Sequence, residues 1–230
     1  MLTRAALALS LLVMPVVAHA TTDTRPTVAV LYFDYSGKDA DMAVLKKGLA
    51  QMLISDLSAL DGVRLVERDR LEEILAELKL AQSGKIDAST AAKVGKLLGA
   101  RYMVLGGYFD LMDTLRADAR VVEVETGKVL QSTGAQGKPQ DFLSVEQKLS
   151  EAIGKILQAK ATAAVVPETT KAAPPRPPTA LKVKTALRYS KALDAKDRGD
   201  KATAKKELAE VVKEQPDFRL AKLDIDKLIQ

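Results

Sequence analysis

The stretch ATAAVVPETTKAAPPRPPTA, residues 161–180, divides this chain into two parts of different texture. Its alanines, threonines and clustered prolines cannot bury a core and favour extended polyproline conformations, so it reads as a semi-rigid linker. Before it, strand-like and helix-like segments alternate. After it, only helical patterns remain.

TVAVLYFD (27–34) is continuously apolar and β-branched, as in a strand covered on both faces. Residues 39–60 place Leu45, Leu49, Met52, Leu53, Leu57 and Leu60 at helical spacing, with Lys46, Lys47, Gln51 and Asp56 between them. VRLVE (63–67) returns as a strand. Asp69 then caps a helix whose apolar stripe is Leu71, Ile74, Leu75 and Leu78, and Ser83-Gly84 ends it. IDASTAAKVGKLLGA (86–100) reads as another helix, capped by Asp87 or Ser89. RYMVLGGYFDL (101–111) reads as a strand, and TLRADARVVEV (114–124) with GKVLQST (127–133) as a hairpin around Glu125-Thr126-Gly127-Lys128. In that hairpin Leu115, Ala117, Ala119 and Val121 share a buried side, and Arg116, Asp118 and Arg120 a wet one. FLSVEQKLSEAIGKILQAK (142–160) closes the unit as an amphipathic helix. The order β-α-β-α-α-β-β-β-α predicts an α/β domain over residues 21–160, a mixed sheet with flanking helices.

MLTRAALALSLLVMPVVAHA has a positive residue, Arg4, then an apolar run and a small-residue cleavage pattern, so residues 1–20 read as an export leader cleaved after Ala20. The chain has no cysteine, and its one histidine, His19, lies in that leader. The processed chain then has neither thiol nor imidazole, which removes disulfides, cysteine nucleophiles, Ser-His-Asp catalysis and ordinary zinc sites. The formal net charge is +5, but the excess lies in residues 181–230, while 21–160 is near neutral. The footprint of nucleic-acid binding is missing from the larger unit. No later segment is long and apolar enough to span a bilayer as a helix, so no integral membrane insertion is expected.

KVGKLLGARYMVLGGY (93–108) carries a Gly-Lys pair that invites comparison with a phosphate loop. Such a loop runs from strand into helix as G-x-x-x-x-G-K-[ST]. Here Leu97 follows Gly95-Lys96 and the order is helix into strand, so helix N-terminal amides point elsewhere. Gly99 suits a helix C-cap with positive φ, and Gly106-Gly107 a close approach or a bulge in the strand. The glycines read as scaffold.

RLVERDRLEEILAELK (64–79), LGARYMVLGGY (98–108) and RADARVVEVETGKVLQST (116–133) together resemble the curli-assembly (CsgG-type) family of periplasmic proteins. The matching positions are Glu67-Arg68 at the second helix, Ala100 to Gly106 in the strand, and Arg120 to Gly127 in the hairpin. The resemblance covers about residues 26–160. It implies an α/β fold similar to an anticodon-binding domain, used for protein association in the bacterial envelope. The domain type also resembles outer-membrane lipoproteins that activate penicillin-binding proteins. Pore-forming members of the family are implied to carry a lipid-bearing N-terminal cysteine and two membrane-spanning hairpins, near 109–115 and 134–141. This chain has no cysteine, and FDLMDTL and GAQGKPQD are too short for strands of ~9–11 residues each. The expectation is the periplasmic part without a pore.

LKVKTALRYSKALDAKDRGDKATAKKELAEVVKEQPDF (181–218) resembles one tetratricopeptide repeat, with Ala192, Ala204 and Pro216 at twelve-residue steps. Gly199-Asp200 makes the turn, Leu208 and Val211 fill the hairpin, and RLAKLDIDKLI (219–229) adds a third helix. Residues 181–230 thus form a small all-α helical-hairpin unit, which leans on a partner or on the first domain. Asp110, Asp113 and Asp118 lack calcium-loop spacing and read as solvated turn residues. Glu67, Arg68, Asp69 and Arg70 read as a salt-bridge cluster at a helix start. Tyr32 and Phe33 read as core filling, whereas Tyr35, beside Ser36-Gly37, is a candidate exposed contact. Lys201, Lys205 and Lys206 form a candidate basic partner face. No residue takes a catalytic, cofactor or metal role. The expected function is a non-enzymatic periplasmic adaptor or accessory protein, resembling curli-assembly and secretion components. Its expected partners are envelope or outer-membrane proteins, or further copies of itself. The alternatives are an activator of a peptidoglycan synthase and a carboxylate-dependent hydrolase, which needs two facing carboxylates ~5–9.5 Å apart.

Overall fold

A mixed sheet organises the first two thirds of the chain. The computed structural model describes residues 23–80, 87–162 and 181–229. The expected leader, and the linker beyond Thr162, lie outside them. Strand β1 (Thr27–Val30) is fully buried and pairs in parallel with β3 (Arg64–Leu65) on one side and β4 (Tyr102–Leu111) on the other. β4 continues antiparallel into β5 (Thr114–Glu123) and β6 (Val129–Gly137), giving the order β3-β1-β4-β5-β6. A short β2 (Asp34–Tyr35) pairs in parallel with the far half of β4.

Alternation decides which side each strand residue serves. Val28, Val30, Tyr102, Val104, Leu115, Ala117, Ala119 and Val121 face α1 (Ala40–Leu57) and α4 (Phe142–Thr162) in the main core. Ala29, Leu31, Met103, Leu105, Val122 and Val124 face α2 (Arg68–Glu77) and α3 (Ala88–Leu97) in a second core. The α/β class, with a mixed sheet and flanking helices, is as the sequence predicts.

Several boundaries differ. The first strand does not run unbroken to Asp34. Leu31 still donates its amide to the Val104 carbonyl at 2.8 Å, but Phe33 turns wholly into the core, where its ring takes the space beside Gly106 that a Cβ would need. Helix α2 is capped by Glu67 and not Asp69, and Arg68 starts the helix with its side chain buried. β6 reaches Gly137, four residues past the expected end, because Gly134 and Gly137 leave room for the Asp118 carboxylate and the Val145 side chain. Two glycine and capping expectations hold. Gly99 has φ +64° after α3, with Ala100 N–H donating to the Gly95 carbonyl at 2.8 Å. Asp87, the helix N-cap, accepts from Thr90 N–H at 2.7 Å.

After residue 180 come α5 (Val183–Asp197), α6 (Lys201–Glu214) and α7 (Arg219–Ile229). Gly199 has φ +79° and Asp200 caps α6 by accepting from Thr203 N–H at 3.0 Å. Tyr189, Ala192, Leu193, Leu208, Val211 and Ala221 form the core of these helices. They do not stand apart, because Leu181 and Ala186 join the main core and α5 lies along α1. At their crossing Gly48 removes a side chain, and a Cβ there would overlap Ser190 Oγ.

Candidate partner-binding surfaces

The α1–α5 contact gathers the charges that the sequence left scattered. Lys47 sits on α1 among polar residues by spacing, yet α5 covers it. Its Nζ donates to Asp197 at 2.7 Å and lies 3.1 Å from Asp194 and 3.4 Å from Glu72. Arg68 is 1 % exposed and grips Asp197 with two parallel bonds, Nη1 to Oδ2 and Nη2 to Oδ1, both 2.8 Å. A bidentate guanidinium–carboxylate pair fixes orientation as well as distance. Arg68 also donates to Tyr32 Oη at 3.0 Å, and that hydroxyl donates to Glu72. Burial by itself would lower the Arg68 pKa, but the Asp197 hydrogen bond and the surrounding charges hold it above the ordinary value. Burial pushes the Tyr32 phenol up, partly offset by the Arg68 charge.

Within the salt-bridge cluster expected at Glu67–Arg70, Arg68 bonds Asp69 at 2.6 Å, and its further bond to Asp197 joins the two parts of the chain. Arg70 pairs with Glu73 at the surface, and Asp69 bonds Lys196 of α5 at 2.9 Å. Burial raises the Asp69 pKa, but the Lys196 hydrogen bond and the Arg68 charge outweigh it and hold the carboxyl below its usual range. A depressed folded pKa gives stability that is present above the unfolded value, about 3.9, and is lost as pH falls through the folded one. Asp69→Asn should then flatten the fall in melting temperature below about pH 4. Thermal melts from pH 5 to 2.5 check this, and an unchanged acid limb contradicts it.

Tyr35 is half-buried and not a free contact. Its hydroxyl donates to the Asp110 carboxylate and accepts from Asp39 N–H at 3.2 Å, while its ring lies 5.2 Å from that of Tyr108. It ties the start of α1 to the β4–β5 tip, where Leu111 and Met112 are exposed and Met112 and Asp113 take φ +47° and +59°. Lys201, Lys205 and Lys206 are exposed, with no ion pair among the described residues. Lys201 also opens α6, where the helix dipole opposes a positive charge. The structure thus brings the three lysines together on one helix and leaves Tyr35 apart from them.

Among the described residues, the far half of the sheet, beyond α2 and α3, is open on that side. Gly106, Gly107, Gly134, Ser132, Arg116, Asp118 and Arg120 border a shallow concavity of about 590 Å³. Arg116 holds Asp118 at 2.8 Å, so the one carboxylate in this lining is engaged. Asp110, Asp113 and Asp118 do not converge. Among the described residues no cluster of three or more carboxylates could hold a metal ion, and no helix is long and apolar enough to cross a membrane.

A protein of Rhizobium meliloti (strain 1021), whose name proposes it to be adenylate cyclase 3, is 26 % identical over 139 residues. Those residues make up 60 % of this chain and 22 % of that protein, so the chain spans about a fifth of its relative's length. Among solved structures, the chain is similar to the LpoB C-terminal domain from Salmonella enterica, with 17 % identity and a TM-score of 0.40 over 49 % of this chain and 82 % of that one. It is similar to a lipoprotein from Neisseria meningitidis at 16 % identity, TM-score 0.42, covering 61 % of this chain and 99 % of that one. It is also similar to a PelC dodecamer from Paraburkholderia phytofirmans at 17 % identity, TM-score 0.34, covering 58 % and 86 %. The matching family model starts inside the stretch read as a leader and ends with β4. Over residues 13–111 the chain matches the family described as "Curli production assembly/transport component CsgG".

Proposed function

We propose that this protein is a non-enzymatic accessory protein of the bacterial cell envelope, exported to the periplasm, that works by binding other proteins. The match of residues 13–111 to a curli production assembly/transport family carries this reading. Support also comes from the C-terminal helices, where α6 displays Lys201, Lys205 and Lys206 to solvent. The buried charges, by contrast, are spent on holding those helices to the sheet domain. The exposed lysines favour an acidic surface or tail on the partner. Such charges act chiefly on association rate and are screened over ~8–10 Å at ordinary salt.

The test is capture of crosslinked periplasmic partners by the full chain and by its Lys201→Glu, Lys205→Glu, Lys206→Glu triple variant. At about 20 mM salt the variant should capture its main partner several-fold less, and above about 500 mM the two should converge. Melting curves of the two proteins should coincide within a few degrees. Equal capture at low salt would remove this face from the function.

A further inference from the structure

We propose that the free edge of β6 is a second binding site, which receives an extended, uncharged segment of another protein with carboxylates at both ends. This deepens the adaptor reading and rests on it. Among the described residues β6 is the outermost strand of the sheet, so no described strand pairs with the backbone groups on its outer side. An edge of this kind is a template for strand addition unless something blunts it. The usual blunting devices are inward-pointing charges, prolines, bulges and short strands. β6 reads VLQSTGAQG, with no charge and no proline over nine residues. Its one irregularity lies at Leu130, where two paired residues of β5, Val121 and Val122, face Gln131 and Val129. Beyond that point Gln131 to Gly137 pair one for one with β5. Seven regular residues remain open.

The two ends of this edge decide what fits it. Lys128 and Lys138 flank the strand, both exposed and without an ion pair among the described residues. They stand roughly 30 Å apart at strand rise. A second copy pairing antiparallel about Thr133 would set Lys128 against Lys138 at each end. A parallel copy in register would set each lysine against its own counterpart. Like charges directly opposite each other destabilise a strand pair, so both self-pairings are opposed. A segment with Glu or Asp at its two ends gains where a copy loses. The side chains of the edge suit a guest of mixed polarity. Thr133, Ala135 and Gly137 lie on the α4 side, and Ser132, Gly134 and Gln136 on the open side beside Arg116, Asp118 and Arg120.

The probe is a capped peptide of seven alternating Thr and Val residues with Glu-Glu at each end. The controls are the same peptide with Lys-Lys ends and a Glu-ended peptide N-methylated at alternate amides. With the purified full chain at low salt, the Glu-ended peptide should bind about tenfold more tightly than the Lys-ended one. It should slow amide exchange within residues 131–137, and the N-methylated peptide should not. In Lys128→Glu/Lys138→Glu the preference should invert. Equal binding of both charge types, no binding, or protection elsewhere overturns the proposal. Protection of β6 that rises with protein concentration alone also overturns it, by making the occupant a second copy. The readout is confined to β6, so these failures differ from failure of the lysine capture experiment on α6.

Discussion

Arg68→Ala should lower the unfolding free energy by about 3–5 kcal/mol, a drop of roughly 10 °C in melting temperature for a chain of this size. The loss is large because the alanine variant leaves the Asp197 carboxylate, 7 % exposed, without its bidentate partner. Tyr32 loses a donor at the same time. Lys47 still reaches Asp197, which limits the damage without replacing the guanidinium geometry. The double variant Arg68→Met/Asp197→Leu should recover a good part of the loss, because apolar groups of similar volume replace a buried pair at little cost. Urea unfolding of the three proteins checks both statements. A single variant within 1 kcal/mol of wild type would show that the pair is not what seats α5.

Gly106→Ala should be comparably severe, about 3 kcal/mol or more, and for a different reason. A Cβ at this position would overlap the backbone carbonyl of Asp118 and come within 2.6 Å of Phe33 Cε1. A side chain can rotate away from such an overlap, but a ladder carbonyl cannot move without breaking the β4–β5 pairing. Gly107, one residue on, is a useful contrast. Its Cβ would sit 3.0 Å from the Asp34 carbonyl, so Gly107→Ala should cost clearly less. Denaturation midpoints for the pair measure the difference, and equal values would contradict the steric account.

The elements that depend on local chemistry were legible in the sequence. The alternation in β5, the cap at Asp87 and the C′ glycine at Gly99 each follow from a few neighbouring residues. The turn between α5 and α6 at Gly199-Asp200 and the third helix over 219–229 were legible as well. What escaped depends on partners far along the chain. Lys47 looked solvated because its spacing on α1 says nothing of α5, which covers it. Arg68 read only as one member of a helix-start salt-bridge cluster because Asp197 lies in another part of the sequence. β6 looked shorter because glycines usually end strands, whereas here Gly134 and Gly137 make room for Asp118 and Val145. Of the expected contact residues, the lysines were legible as exposed because α6 has a clear apolar stripe. Tyr35 read as exposed and is half-buried, because its acceptor, Asp110, sits 75 positions away.

The bond between Arg68 and Asp197 spans 129 positions of the chain, and this separation has a kinetic side. A chain made from its N-terminus forms local contacts early and waits for distant ones. β1, α1, α2 and β4 can all be in place while Arg68 and Lys47 still point into water, solvated and without Asp197. The carboxylate arrives only when α5 has been synthesised and has swung onto α1. Closure of this ion pair therefore marks the docking of α5 on the sheet domain. A chain cut short before residue 194 leaves Arg68 and Lys47 with only Asp69 and Glu72 as charged partners, beside an exposed strip of α1, a surface that a chaperone or protease can tell from the finished protein.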